Sequence, residues 1–296
     1  MSNEAADAAV EEVRVQRKGV KKGLYLLPSA FTAANIGMGY FAVMAALRGF
    51  QLLDAGATGG SIAAATAHFD NASRAIGWAI LFDSLDGRIA RMTKTTTEIG
   101  IQLDSIADVV TFGIAPAVLV YAWGYGGALP EGSQLHKLGW FVSFMFLICG
   151  AIRLARFNVQ ATRPRPLAEG SAKVDKKNFV GLPIPAAAGL LVALIHFAPR
   201  PLLTYEGNLP TLYSGILMGL VAVLATLMVS TIRYSSFKTL GAGKHSTIKV
   251  MPVIAAVGML VWLFSRYVLL AIILSYVLSG LLSRFFALFR SRPAQD

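Results

Sequence analysis

Long apolar stretches recur along this chain, and they constrain its fold more than any other feature. A helix that crosses a bilayer needs about 20 mostly apolar residues. The sequence contains eight such candidate spans, at 28–48, 73–91, 99–122, 138–157, 181–198, 211–230, 250–266 and 267–287. Only 15% of the residues are charged, fewer than in an ordinary soluble domain. The sequence therefore predicts an all-α, polytopic membrane bundle of about eight transmembrane helices.

The basic residues predict how this bundle is oriented. Lys and Arg collect in short cytoplasmic loops, and most of the 27 basic residues fall on one side if both termini are cytoplasmic. We therefore expect a multi-pass protein of the cell (inner) membrane. Its predicted parts are a cytoplasmic tail at 1–24, which an interfacial helix would suit, a transmembrane domain at 25–288 and a cytoplasmic tail at 289–296.

The net charge of +11 raises the question of a nucleic-acid partner. Nucleic-acid-binding proteins gather their basic residues on one face, whereas here they are dispersed over loops beside apolar spans. Anionic membrane lipids are the partners that this pattern favours. Gly215 and Gly219 form a GxxxG pair in the sixth span, which allows close helix contact in a homodimer.

Four aspartates in the predicted spans are the strongest indication of a functional site in the sequence. Asp83 and Asp86 end the second span, and Asp104 and Asp108 lie in the third. An acid at the centre of a membrane helix costs roughly 2.5 to 3.5 kcal/mol on insertion scales, so such groups usually face a cavity, a partner or an ion. Spacings of three and four residues place each pair on one helix face, and the short link 92–98 brings the two helices together.

Four converging carboxylates repel one another unless cations lie between them. Oxygen ligands without His or Cys indicate a hard divalent ion, Mg²⁺ or Mn²⁺. Two other interpretations remain open from the residues alone. Asp83 and Asp86 could be helix-end acids paired with Arg88 and Arg91, or the carboxylates could form the ion pathway of a transporter.

The pattern DxxDGxxAR, eight residues and then GxxxDxxxD resembles the signature of the CDP-alcohol phosphatidyltransferase family. Its defined positions are Asp83, Asp86, Gly87, Ala90, Arg91, Gly100, Asp104 and Asp108. The resemblance implies that the four aspartates hold two divalent ions and that Asp108 is also the catalytic base. It implies that the transmembrane domain is catalytic and that CDP-lipid, CDP-diacylglycerol in bacteria, is bound by Gly87, Ala90, Arg91 and Gly100, with Thr32 and Asn35 nearby.

Three further segments, at 108–117, 153–158 and 179–188, resemble the phosphatidylserine synthase branch of that family. This likeness implies L-serine as the acceptor, with glycerol phosphate or inositol phosphate as the alternatives. Because serine carries a carboxylate and an ammonium group, we expect Arg153, Arg156 and Asn158 to bind it. The two arginines could instead anchor a helix end to lipid phosphate. The active site is expected to open to the cytoplasmic leaflet.

Overall fold

The computed structural model describes residues 30–93, 98–162, 178–235 and 247–289. Within these ranges the chain is almost entirely helical, as the sequence predicts. The helices are α1 (Ala30–Asp54), α2 (Gly59–Thr93), α3 (Glu98–Asp108), α4 (Ala115–Val120), α5 (Gln134–Thr162), α6 (Ile184–Phe197), α7 (Leu209–Val229) and α8 (Thr247–Phe289). The predicted tail at 1–24 lies outside the described residues, as does the predicted C-terminal tail beyond Phe289.

Six helical segments of the described chain are long and apolar enough to cross a membrane, which confirms a multi-pass membrane protein. They are Ala30–Asp54, Ile99–Tyr125, Gln134–Val159, Ile184–Thr204, Leu209–Val229 and Ala255–Ser283. The predicted second span lies within α2, whose 35 residues are long enough to cross but include several charged side chains. Eight spans is therefore an approximate count.

The third span is continuous but not uniformly α-helical. Between α3 and α4 the chain forms a π-helical segment, Val109–Ile114, and after α4 a second one, Tyr121–Tyr125. Pro116 is the second residue after the first segment, and a proline ring collides with the carbonyl four residues earlier in a regular helix. The wider π turn accommodates that ring, and such turns frequently occur at functional sites.

Helix α6 is the central helix of the bundle, and most of its side chains are buried. It packs between α2 and α8. A Cβ at Gly189 would lie only 3.0 Å from Ile273 of α8 and 3.4 Å from Ile80 of α2. Small residues at this position therefore allow three helices to approach closely, as is common in membrane bundles.

Two short strands pair with each other, one just before α6 and the other just after α7. They are β1 (Asn178–Val180) and β2 (Arg233–Ser235), and they pair antiparallel with position 179 opposite Tyr234. Gly181 follows β1 with φ of +82°, and a Cβ there would collide with the Met228 carbonyl oxygen. Glycine is thus required at this turn. The turn lies in the segment 179–188, where the sequence shows a family resemblance but does not predict a strand.

The last two predicted spans belong to one 43-residue helix, α8, that is interrupted at Phe264 (φ −131°, ψ 42°). A straight helix of that length would extend about 65 Å, roughly twice the hydrocarbon thickness of a bilayer. The interruption lies within three residues of the predicted boundary at 266/267. The sequence thus locates the division correctly, although the structure assigns both halves to a single helix.

A polar cluster joins α2, α6 and α8 beside this interruption. The Nδ1–H group of His196 donates to the Asp70 carboxylate at 2.5 Å, and Nε2 of His196 lies 3.0 Å from the Ser265 hydroxyl. Only 7% of His196 is exposed. The sequence analysis assigned no role to this histidine, and we call the three residues the His196 clasp.

We expect His196→Ala to lower stability by about 2 kcal/mol, because it leaves the Asp70 carboxylate half-buried without its partner. The apparent melting temperature in detergent should fall by roughly 4 to 8 °C. His68→Ala, the same substitution at a partly exposed position of α2, is the control and should change little. Equal melting temperatures for the two variants would contradict a stabilising clasp.

Candidate active site

Three of the four predicted aspartates come together in the structure. Oxygens of Asp83 from α2 and of Asp104 and Asp108 from α3 all lie within 4.8 Å of one another. Four-residue spacing in α3 brings Asp104 and Asp108 to one face, and the end of α2 supplies the third carboxylate. The side chain of Asp86 lies outside the described part of the molecule. We call the end of the bundle that carries these residues the aspartate end.

Asp108 is the most deeply placed of these carboxylates, with 9% of the residue exposed. Its Oδ1 is buried and has no hydrogen-bond partner among the described residues. A charged oxygen in that state is strongly unfavourable unless a cation or a donor compensates it. Three close carboxylate oxygens with one uncompensated atom fit a hard divalent cation, which takes oxygen ligands.

Arg153 and Arg156, predicted together, have different environments. Arg153 interacts electrostatically with Asp108 and with Tyr276 of α8. Its Nε is buried without a hydrogen-bond acceptor among the described residues. Arg156 is exposed, which fits the alternative role of contacting the lipid surface. The structure thus turns only Arg153 of this pair toward the aspartates.

Asn158 lines a different place, a mostly apolar cleft of about 320 Å³ between α3 and α5. Its Nδ2 donates to the Ser105 hydroxyl at 2.8 Å. Most of the cleft is formed by apolar side chains such as Ile106, Val110 and Leu154. An apolar groove of this kind suits a hydrocarbon chain better than a small charged acceptor. The acceptor role of Asn158 stays a prediction.

Thr32 and Asn35 of α1 are both buried, at 5% and 1% exposure. The Thr111 hydroxyl donates to the backbone carbonyl of Asn35 at 3.0 Å, and Thr111 lies three residues after Asp108. Gly39, one turn further along α1, packs directly against Thr111. The Oδ1 of Asn35 is buried without a donor in the described part of the chain, so the residue of α1 that contacts Thr111 also carries an uncompensated amide oxygen.

The remaining motif residues are described only in part. Gly87 follows Asp83 by one turn of α2, and Gly100 precedes Asp104 by one turn of α3; both are partly buried. The structure describes the α2 backbone at Ala90 and Arg91 but not their side chains. The roles predicted for these four residues stay predictions.

Two tyrosines at the aspartate end, Tyr234 and Tyr276, are not predicted by the sequence. Tyr276 in α8 interacts electrostatically with Arg153. The ring of Tyr234 in β2 lies 5.8 Å from that of Tyr276, centroid to centroid. Tyrosine is common in membrane proteins, and both residues lie over 120 positions after the aspartates. The only local signal was the position of Tyr234 four residues after the sixth predicted span, beside Arg233.

Comparisons with known proteins find matches over most of this chain. The family model described as CDP-alcohol phosphatidyltransferase matches residues 25–227. A CDP-diacylglycerol–serine O-phosphatidyltransferase of Helicobacter pylori strain J99 is 36% identical over 215 residues, covering 73% of this chain and 74% of that protein. A protein of the same name from Methanocaldococcus jannaschii is 35% identical over 159 residues, covering 53% of this chain and 60% of its own. The corresponding Saccharomyces cerevisiae protein is 37% identical over 122 residues, covering 41% and 40%.

We expect the purified protein to bind Mn²⁺ at the aspartates. Asp104→Asn should weaken binding by about 100-fold or more, since loss of an outer-shell partner alone typically costs about 10- to 100-fold. Free Mn²⁺ measured by electron paramagnetic resonance during a titration tests this. Asp54→Asn changes an exposed aspartate at the end of α1 and should bind Mn²⁺ like the unmodified protein.

In the absence of metal, the same variant should be more stable than the unmodified protein. In excess chelator, Asp104→Asn removes one of three mutually repelling charges, so its apparent melting temperature should exceed that of the unmodified protein. Adding Mn²⁺ should reverse that order, because an ion that binds only the folded state stabilises it. A ranking that does not depend on Mn²⁺ would exclude these carboxylates as its ligands.

Proposed function

The chain belongs to the CDP-alcohol phosphatidyltransferase family and is a membrane-embedded transferase, and we propose that it moves the phosphatidyl group of CDP-diacylglycerol to the hydroxyl of L-serine. The products are phosphatidylserine and CMP. The observation that carries this proposal is the group formed by Asp83, Asp104 and Asp108 inside an apolar bundle. The names of the relatives favour serine as the acceptor.

The proposed cofactor is a pair of divalent ions, Mg²⁺ or Mn²⁺. Asp83, Asp86 and Asp104 would be the main ligands, with Asp108 contributing to the second ion. When bound, such ions neutralise the diphosphate and stabilise the CMP that leaves. The uncompensated Oδ1 of Asp108 supports this donor set.

Asp108 has the further role of general base in this proposal. The serine hydroxyl oxygen forms a bond to the lipid-side phosphorus while the bond from that phosphorus to the CMP oxygen breaks. The hydroxyl proton passes to the Asp108 carboxylate. Burial of Asp108 excludes competing water from the acceptor side, and a positioned base typically contributes about 10²- to 10⁴-fold.

The CDP-lipid would lie along α1, α2 and α3. Gly87, Ala90 and Gly100 would allow the nucleotide to approach the backbone, with Arg91 near phosphate, and the uncompensated Asn35 oxygen and Thr32 are placed on the facing helix. The apolar cleft between α3 and α5 offers a path for one acyl chain into the membrane. Its polar mouth at Ser105 and Asn158 lies beside the aspartate helix.

The reaction would take place at the cytoplasmic leaflet of the cell membrane, where soluble serine and membrane-bound CDP-diacylglycerol both arrive. The dispersed basic residues support that orientation and contact with anionic lipids. Gly215 and Gly219 are exposed on α7, with open space beside both. That surface would suit the contact between two copies of the chain in a homodimer.

The test of the proposed function is CMP release by the purified protein from CDP-diacylglycerol in the presence of Mg²⁺ or Mn²⁺. We expect release to require both serine and metal. Glycerol 3-phosphate, inositol phosphate and no acceptor are the parallel conditions. Release with another acceptor would replace serine in the proposal, and absence of release from folded protein would favour the transporter interpretation.

Asp108→Asn should lower kcat by at least about 10²-fold, because it removes the proposed base while nearly preserving side-chain volume. The protein should remain folded, which thermal unfolding in detergent will show. Asp54→Asn is the matched control, and its activity should be unchanged. Asp108→Asn with near-normal turnover would exclude Asp108 as the base.

A further inference from the structure

Tyr234 is completely buried, yet its hydroxyl has no hydrogen-bond partner among the described residues. The pairing of β1 with β2 fixes its backbone. Its ring packs directly on Gly280 of α8, where any Cβ would collide with it. The fold therefore inserts this tyrosine into a closely fitting space and leaves its polar atom uncompensated, which is rare for a buried tyrosine.

A row of four side chains leads from Tyr234 toward the carboxylates. The rings of Tyr234 and Tyr276 lie 5.8 Å apart, at 40° to each other. Tyr276 interacts electrostatically with Arg153, and Arg153 with Asp108. The row therefore crosses from β2 through α8 and α5 to the metal-binding face of α3.

Two hydrogen-bond donors in this row are buried without partners in the described part of the chain, the Tyr234 hydroxyl and Nε of Arg153. Each such atom is unfavourable by itself, and most buried polar groups in folded proteins are paired. Their concentration along one row indicates that a polar ligand completes it. Tyr234 and Arg153 supply hydrogen-bond donors, and Asp108 supplies an acceptor.

We propose that the Tyr234 hydroxyl and Nε–H of Arg153 together bind the carboxylate of an amino-acid acceptor, so that the acceptor hydroxyl faces Asp108. This inference rests on the proposed function and adds Tyr234, which the family motif does not contain. Only one of the two donors is cationic, which suits a singly charged carboxylate better than a phosphate dianion.

The decisive variant is Tyr234→Phe, which removes one oxygen and keeps the ring in its space on Gly280. We expect KM for serine to rise about 10-fold or more, since hydrogen bonds to charged groups are among the stronger ones. The KM for CDP-diacylglycerol and kcat at saturating serine should stay within about twofold. The apparent melting temperature should be equal or higher, because a buried hydroxyl without a partner is removed.

A specificity measurement separates carboxylate binding from general damage. Serinamide keeps the hydroxyl and the amino group of serine and replaces the carboxylate by a neutral amide. The preference for serine over serinamide, as a ratio of kcat/KM values, should fall about tenfold in Tyr234→Phe. Tyr125→Phe is the matched control: it removes the hydroxyl of another fully buried tyrosine, which bonds Ser143 at 2.6 Å, about 25 Å further along the third span from Asp108.

The outcomes distinguish this inference from the proposed function. If the unmodified protein releases no CMP in response to serine, the proposed function fails whatever Tyr234 does. If it does so and Tyr234→Phe keeps the normal serine KM and the normal preference over serinamide, the inference fails and the function stands. A variant that loses kcat, affinity for both substrates and thermal stability together would show that Tyr234 is only structural, which also overturns the inference.

Discussion

The burial of carboxylates in an apolar bundle is the constraint on which the rest of this structure depends. Asp108 lies almost entirely out of solvent with an uncompensated oxygen, and a buried charge of this kind requires cations, donors or both. The surrounding elements supply candidates for both. Asp83 and Asp104 complete a donor set for a divalent ion, and α5 brings the guanidinium of Arg153 to the same place.

The parts of this site that the sequence predicts correctly are those set by local geometry. Spacing of four residues is sufficient to align Asp104 with Asp108, and a short link is sufficient to bring Asp83 to them. Apolar length predicts the membrane bundle for the same reason, since the bilayer imposes it on each span separately. Even the interruption of α8 at Phe264 is close to the predicted boundary, because one helix of that length exceeds a membrane.

The features that the sequence does not predict depend on contacts between distant segments. Asp70 meets His196 across 126 positions, and His196 meets Ser265 across 69. Nothing in the local pattern around any of the three residues indicates that they meet. Tyr234 is a similar case, since its burial depends on two three-residue strands and on Gly280. Arg153 and Arg156 look equivalent in sequence and differ only because α5 turns one toward the aspartates and the other outward.

The π-helical segment after Asp108 changes the rotational phase of the third span. Each π turn contains about one residue more than an α turn, so every side chain beyond it is rotated by roughly 100° relative to an unbroken helix. The stripe of Gly100, Asp104 and Asp108 therefore stops at the site instead of continuing down the helix. Beyond it, Thr111, Phe112 and Gly113 are all buried. One helix thus presents carboxylates at one level and a closely packed surface at the next. The residues needed for close packing can therefore differ from those needed at the carboxylate level.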